Sequence, residues 1–245
     1  MLLRLELVSP PATPHLRAAA AVRAAAFGGE LPPDRSPWAR AAFVRAKTGD
    51  AWRALEAKTA GIDPDWAGIR VCCLLATVAD GDEEEEEGEV EAPPSTSTTL
   101  RVALPPGLPA ALAASTDPSC CLPGLPGGGD GRRWAVGTLD LNFGPRLPSE
   151  RLAADEPAGP PGQLVYLSNV ATAAPARRRG VARALVRYAV GLAPSLGASR
   201  VAVHAGTAAA AALYQGAGFL EVARETAAAG RARGEAPRTL YVLDC

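Results

Sequence analysis

Apolar residues recur along this chain in two spacings, and the shorter spacing predicts the strands. A strand with one buried face alternates apolar and polar residues, whereas a strand buried on both faces is an unbroken apolar run. The opening segment alternates Leu with Arg and Glu, and the run IRVCCLLATV that begins at Ile69 is unbroken. Segments of these two kinds predict strands at 1–8, 69–78, 134–143, 164–172, 200–204, 220–224 and 239–243.

The longer spacing, close to 3.6 residues, predicts helices. Pro14 fits the first turn of a helix that runs to about Phe27. A second helix is predicted from about Trp38 to Ala60, and Gly49-Asp50 could split it. Two further helices are predicted after residues 180 and 207. We find no internal repeat and no sign of a second domain, so the chain is predicted to be a single domain over residues 1–245.

Composition changes abruptly between residues 80 and 131. This segment holds an acidic run, Asp82–Glu87, a Pro/Ser/Thr stretch and a cluster of glycines. Such composition is typical of a chain that does not fold by itself, so we predict a long, mostly disordered insertion, with a short extra strand at Leu100–Leu104 as a candidate. The acidic run is either an ordinary solvated segment or a segment that attracts basic substrate proteins. A Gly/Ala/Arg-rich loop is predicted between residues 224 and 239.

Charge and cysteine usage narrow the function classes. The formal net charge is −1, which argues against a general nucleic-acid-binding protein, and no apolar run approaches the length of a membrane span. The five cysteines form two adjacent pairs and a terminal residue, a pattern that suits neither a disulfide framework nor a zinc site and favours a reducing compartment. His15 and His204 are the only histidines, so we expect no metal.

The residues that carry chemistry follow the strand predicted at 164–172. Three consecutive arginines, Arg177, Arg178 and Arg179, stand immediately before Gly180 and a helix. A helix N-terminus presents unpaired N–H groups and a partial positive charge, so cations are unfavourable there unless an anion binds. A pyrophosphate would satisfy both the N–H groups and the arginines, and Gly180 would let the backbone approach it closely. The alternative for the arginines alone is an exposed basic turn.

This stretch resembles a known signature. The run Arg177-Arg178-Arg179-Gly180-Val181-Ala182 is similar to the Arg/Gln-x-x-Gly-x-Gly/Ala motif of the acetyl-CoA site in the GNAT superfamily of N-acetyltransferases. Members usually continue with Asn-x-x-Ala-x-x-Leu-Tyr-x-x-x-Gly-Phe. The same spacing is occupied here by Thr207, Ala210, Leu213, Tyr214, Gly218 and Phe219. Thr207 departs from the usual Asn. The resemblance covers roughly residues 134–245.

The resemblance implies a fold and a co-substrate. The expected fold is α/β, with a mixed, mostly antiparallel sheet of about six or seven strands, flanked by helices and splayed open at the cofactor strand. Acetyl-CoA is the implied co-substrate, its pantetheine arm pairing with the strand backbone, where an N–H near Val170 would polarise the thioester carbonyl. The implied cofactor-binding residues are Asn169, Val170, Ala171, Thr172, Arg177, Arg178, Arg179, Gly180, Val181, Ala182, Arg183, Thr207, Ala210 and Tyr214.

The resemblance also implies catalytic residues. Tyr214 occupies the position of a Tyr that protonates the leaving sulfur in family members, and its alternative role is that of a core aromatic. Tyr166 matches a Tyr that contacts the substrate amine through water in N-terminal acetyltransferases, or else it is a packed strand residue. His204 is a candidate general base because an imidazole titrates near neutrality, although the usual His would fall at Ala202. Asp140 is a weaker candidate.

Within the superfamily, the chain is most similar to plant and algal GNATs of the plastid type, which acetylate protein N-termini and lysine side chains. This resemblance implies a protein or peptide acceptor and a plastid location, with the cytoplasm as the alternative, because the sequence shows no transit peptide. A small-molecule amine acetyltransferase and a non-catalytic acetyl-CoA sensor are the other hypotheses. A wide groove between the N-terminal helices and the terminal hairpin would favour a peptide. We expect no nucleic-acid or membrane partner, and we favour a monomer.

Overall fold

The computed structural model describes residues 2–8, 13–27, 36–79, 97–101, 107–115, 120–122, 132–143, 163–234 and 236–245. The strands are β1 (Leu2–Val8), β2 (Arg70–Ala79), β3 (Ser97–Arg101), β4 (Cys121–Leu122), β5 (Arg133–Phe143), β6 (Leu164–Thr172), β7 (Arg200–Ala205), β8 (Leu220–Arg224) and β9 (Thr239–Asp244). The α-helices are α1 (Thr13–Phe27), α2 (Pro37–Thr59), α3 (Leu108–Ser115), α4 (Val181–Leu192), α5 (Ala208–Gln215) and α6 (Ala227–Arg233).

These strands form one sheet in the order β3-β1-β2-β5-β6-β7-β9-β8, with β4 added beside β5. Only the β6–β7 pair is parallel, and every other pair is antiparallel. The predicted mixed, mostly antiparallel sheet is therefore confirmed, but the predicted count of six or seven strands is wrong. The two additional strands come from the segment predicted to be mostly disordered. There, β3 overlaps the candidate strand predicted at Leu100–Leu104 and extends the sheet beyond β1.

Helices cover both faces of the sheet. On one face, α1 places Arg23 against Asp140 of β5. On the other, α4 approaches so closely that a Cβ at Gly137 would lie 2.8 Å from Val181 and 2.9 Å from Leu185. Positions 137 and 140 of β5 point to opposite faces because side chains alternate along a strand. The sheet is thus enclosed between α1 and α2 on one side and α4 on the other.

Strand β6 parts from its parallel neighbour halfway along its length. Pairing with β7 runs from Leu164 to Leu167. Beyond that point the register against β5 shifts by one residue, and Asn169 has a φ of 54°, which together make a β-bulge. The last residues of β6 have no partner on the β7 side in the described sheet. Their backbone is therefore available to pair with a ligand, as the expected splay requires.

The structure corrects several local predictions. Helix α2 is continuous through Gly49 and Asp50, so it does not split. The loop predicted before β9 contains α6, which begins after Thr226, whose hydroxyl accepts a hydrogen bond from the Ala229 N–H at 3.2 Å. Within 80–131, β3, α3 and β4 form regular structure, whereas the acidic run Asp82–Glu87 lies outside the described residues.

A candidate acetyl-CoA site

The turn between β6 and α4 has the backbone of an anion site. Gly180 caps α4 with a φ of 86°, and no side chain caps this helix end. Arg178 also has a positive φ, 60°. The first bond within α4 runs from the Ala184 N–H to the Gly180 carbonyl at 2.9 Å, so the N–H groups of the first turn have no partner inside the helix. This geometry suits a phosphate.

A cavity of about 520 Å³ opens at this turn. It is bounded by the end of β6, the arginine turn and the start of α4 on one side, and by α5 on the other. Seven predicted cofactor residues line it: Thr172, Arg177, Arg178, Gly180, Val181, Ala182 and Arg183. The α5 side is contributed by four residues that were not among the predicted cofactor residues: Ala209, Ala212, Leu213 and Gly216.

Polar groups in the cavity wall fit an anionic, hydrogen-bonding ligand. Arg183 donates to the Gly216 carbonyl at 3.1 Å, which fixes its guanidinium between α4 and α5. Arg177 donates to the Thr172 carbonyl at 3.3 Å. The Thr172 hydroxyl is buried and has no hydrogen-bond partner within the described chain. Because a buried polar atom is normally paired, this hydroxyl is a candidate contact for the cofactor, whose phosphates and pantetheine amides carry acceptors and donors.

The remaining predicted cofactor residues lie outside this cavity wall. Val170 is half-buried, Ala171 is buried, and Arg179 is exposed. The Thr207 hydroxyl accepts a hydrogen bond from the Ala210 N–H at 3.2 Å and so caps its own helix, and Ala210 packs against the core. Thr207, which replaces the usual Asn, thus caps its own helix. The cofactor roles of the residues outside the cavity wall stay predictions.

The bulge of β6 is tied to α1 through a buried network. Asn169 donates its side-chain amide to Asp140 at 2.8 Å. Both terminal nitrogens of Arg23 donate hydrogen bonds to the same carboxylate. Arg23 also donates to the Thr138 hydroxyl at 3.1 Å. Although burial favours its neutral form, the carboxylate beside it raises the pKa of Arg23. Asp140 is engaged by three hydrogen bonds from these donors, which argues against its role as a general base.

Two of the predicted catalytic residues meet on the α1–α2 face of the sheet. The Tyr166 hydroxyl and His204 Nδ1 are 2.7 Å apart, and their rings are 5.5 Å apart. They stand on adjacent strands at the point where the two strands part, since pairing ends with Leu167 opposite Val203. His204 is two positions beyond the place where the family's His was expected, but it points to the same face and reaches Tyr166.

Tyr214, the third predicted catalytic residue, is buried on α5. Its ring lies 5.9 Å from that of Phe219 and 6.3 Å from that of Tyr241. Burial, and to a smaller extent the neighbouring Tyr166, raises the pKa of the Tyr214 phenol. The hydroxyl is therefore held in the protonated form that a proton donor needs.

Sequence reasoning missed three polar residues near the splay. Arg23 has five apolar residues before it and three alanines after it in α1, and a charge in such surroundings is a signal for a buried partner. Asn142 donates to the Tyr166 carbonyl at 2.7 Å and to the Ser168 hydroxyl at 3.0 Å. Lys58 lies in the last turn of α2, with its ammonium 4.2 Å from the centre of the Trp66 ring.

Among the described helices none is both long and apolar enough to cross a membrane.

Comparison with known proteins supports one class of enzyme. Residues 99–219 match the model of the acetyltransferase (GNAT) family, whereas no curated protein matches the sequence. Among solved structures, Arabidopsis thaliana NAA60 in complex with a bisubstrate analogue has a TM-score of 0.50 at 14% identity, covering 99% of this chain and 97% of that one. The IAA acetyltransferase from Bacillus cereus has a TM-score of 0.46 at 12% identity, covering 99% of each chain.

A third structure, the Bacillus subtilis acetyltransferase in complex with CoA, has a TM-score of 0.36 at 21% identity and covers 48% of this chain and 72% of that one. The family match includes the end of β6, the arginine turn, α4 and α5. With the GNAT fold and the cavity at the arginine turn, this match supports an acetyl-CoA-dependent acetyltransferase of the GNAT superfamily. Such enzymes need no metal.

Proposed function

We propose that the protein transfers acetyl groups to amines of proteins or peptides, at N-termini and lysine side chains. The supporting observation is the length of the surface available to an acceptor along α2. One cavity of about 330 Å³ lies between α1, α2 and Asn169 of the bulge. A second, of about 330 Å³, lies between the end of α2 and the start of β2. Lys58 lines both, so an extended chain could occupy one after the other, whereas a small amine would need only the first.

The chemical step needs no enzyme nucleophile, because a thioester is already activated. The amine nitrogen forms a bond to the acetyl carbonyl carbon, and the carbon–sulfur bond breaks. Before attack, the ammonium loses a proton, which passes through the Tyr166 hydroxyl to His204 at 2.7 Å. The Val170 N–H at the bulge polarises the carbonyl. The Tyr214 phenol then gives its proton to the departing thiolate, and the second proton that the amine nitrogen loses as the amide forms restores the phenol.

The direct test measures free CoA and acetylated peptide by mass spectrometry, with a mixed set of N-terminal and lysine peptides. We expect peptide-dependent CoA release that is reduced in Tyr214→Phe with little change in cofactor affinity. Gly180→Glu should abolish cofactor binding, because it adds a bulky anion at a φ of 86°. Gly191→Glu is the matched control, since Gly191 lies near the other end of the same helix with open space around it.

The outcomes separate the competing functions. Acetylation of small amines but of no peptide would replace the proposal with a metabolite acetyltransferase. Acetyl-CoA binding that fails in Gly180→Glu, without release of CoA to any acceptor, would indicate a sensor. Equal loss of cofactor binding and rate in Tyr214→Phe would show that Tyr214 is structural. The plastid location rests on sequence resemblance alone, and imaging of the full-length protein fused to a fluorescent protein would test it.

A further inference from the structure

Lys58 is a half-buried cation that the proposed reaction does not use. Its ammonium lies 4.2 Å from the centre of the Trp66 ring, and no carboxylate of the described chain lies within 4.0 Å of it. Burial, the largest influence, lowers the pKa of Lys58, although Asp140 and Asp63 act in the opposite direction. A cation that has lost hydration without gaining a counterion is a favourable place for an anion to bind.

The position of Lys58 relates it to the acceptor. It lines the cavity that reaches Asn169 at the bulge of β6, and also the second cavity, which reaches Arg70 on β2. Because the amine must lie near Val170, next to Asn169, a group bound at Lys58 would belong to the part of the acceptor adjoining the amine. Lys58 is also close enough to Asp140 to be influenced by its charge, which places it beside the network that holds the bulge.

The other charges of the first cavity are already paired or are positive. Arg23 is bound to Asp140, and Asp50, the acidic residue of the lining, is paired with Arg53 at 2.6 Å. Lys47 adds a second cation, 5.5 Å from the centre of the Phe43 ring. The wall therefore presents unpaired positive charge to the acceptor.

From this arrangement we infer that the preferred acceptor carries a carboxylate close to its reactive amine, and that Lys58 binds this carboxylate. The inference rests on the proposed acetyltransferase function and adds a substrate class to it: amines flanked by Asp or Glu. A charge-assisted hydrogen bond at such a site corresponds to a preference of about 10-fold to 100-fold in kcat/KM over the matched neutral acceptor.

The test compares acceptors that differ only in charge. Peptides with Asp or Glu beside the reactive amine are compared with the same peptides carrying Asn or Gln, and free amino acids are compared with their amides. We expect the ratio of kcat/KM for acidic over neutral acceptors to be about 10 or more in the wild type. It should fall to about 1 in Lys58→Met and below 1 in Lys58→Glu. Arg45→Met, on an exposed part of α2 outside both cavities, should keep the wild-type ratio.

Each outcome decides a separate question. Equal acetylation of acidic and neutral acceptors by the wild type overturns the inference and leaves the proposed function intact. A preference that survives in Lys58→Met also overturns it, because another group would then bind the carboxylate. If no peptide is acetylated, the proposed function fails. The amino acid and amide pairs then still report whether a carboxylate is preferred. Absence of acetylation with every acceptor overturns both.

Discussion

Replacing Arg23 with Met removes one half of the buried ion pair between α1 and β5. The Arg23 and Asp140 side chains are 9% and 1% exposed, and the Nη1–Oδ2 hydrogen bond is 2.9 Å long. In the Arg23→Met protein, Asp140 would keep only the Asn169 amide as a side-chain donor within the described structure. Removing one partner of a buried pair costs about 3–5 kcal/mol, a large share of the roughly 5–15 kcal/mol that stabilises a typical domain.

Thermal unfolding followed by tryptophan fluorescence measures this cost. For a domain of this size, 1 kcal/mol corresponds to a shift in Tm of about 2–4 °C, so Arg23→Met should lower Tm by about 6–20 °C. Arg53→Met is the matched control, because the Arg53–Asp50 pair is 2.6 Å long but its side chains are 69% and 66% exposed. An exposed pair contributes only about 0–1 kcal/mol, so the control should shift Tm by about 4 °C at most.

The double variant Arg23→Met/Asp140→Leu separates the unpaired charge from the lost packing. Replacing both members of a buried pair with apolar residues is often neutral, so the double variant should recover most of the stability lost in Arg23→Met. Some loss should remain, because the Asn169 amide loses its partner and the Thr138 hydroxyl keeps only the Cys73 thiol. The reasoning is refuted if Arg23→Met unfolds at the same temperature as the exposed control, or if the double variant is no more stable than the single one.

Three further predictions follow from burial and packing. Gly137→Ala should lower stability by about 1–3 kcal/mol through overpacking against α4, whereas Gly191→Ala on the exposed side of α4 should not destabilise; equal stability of the two variants in denaturant titrations would contradict this. Because burial raises the pKa of Tyr214, the ratio of wild-type to Tyr214→Phe kcat should stay constant from about pH 8 to about pH 9.5, and a ratio that falls as pH rises would show that the phenol ionises. Burial raises the pKa of the Cys73 thiol to about 12, so peptide mapping after alkylation of the native protein should find Cys245 modified and Cys73 unmodified; rapid labelling of Cys73 would contradict its burial.

The part of the fold that could be predicted is the part governed by local pattern. The bounds of β6 and β8 are those that the sequence predicted, because Pro175 follows β6 and Gly218 precedes β8. Helix α6 was missed because its Ala, Gly and Arg composition is also typical of loops, although Thr226 is a good N-cap. The candidate strand at 100–104 overlaps β3 but begins three residues too late, and β4 was missed because it has only two residues. Pairing with β1 and β5 supplies the order that composition does not.

The candidate site also has one part that could be predicted from the sequence and one part that could not. The arginine turn could be predicted because its function depends on consecutive residues, Arg177 to Ala182, and on a helix that begins where they end. The Arg23–Asp140 pair could not, because 117 positions separate its members and only the fold brings them together. Lys58 was missed for the same reason: nothing in its neighbours along the chain distinguishes a cation over a cavity from a cation in solvent.

The cavity proposed for the acceptor and the strand expected to bind the cofactor are joined by a set of hydrogen bonds centred on Asp140. Asn169 has a left-handed backbone, which costs an ordinary L-residue about 1–2 kcal/mol and Asn less, and its hydrogen bond to Asp140 helps to hold it there. Asp140 is in turn fixed by Arg23 of α1. Asn169 and Arg23 also line the cavity beside α2. In the proposed reaction, an acceptor in this cavity would contact the residues that hold the bulge at Asn169. Acceptor binding and the proposed polarisation of the thioester by the Val170 N–H would then depend on the same buried carboxylate.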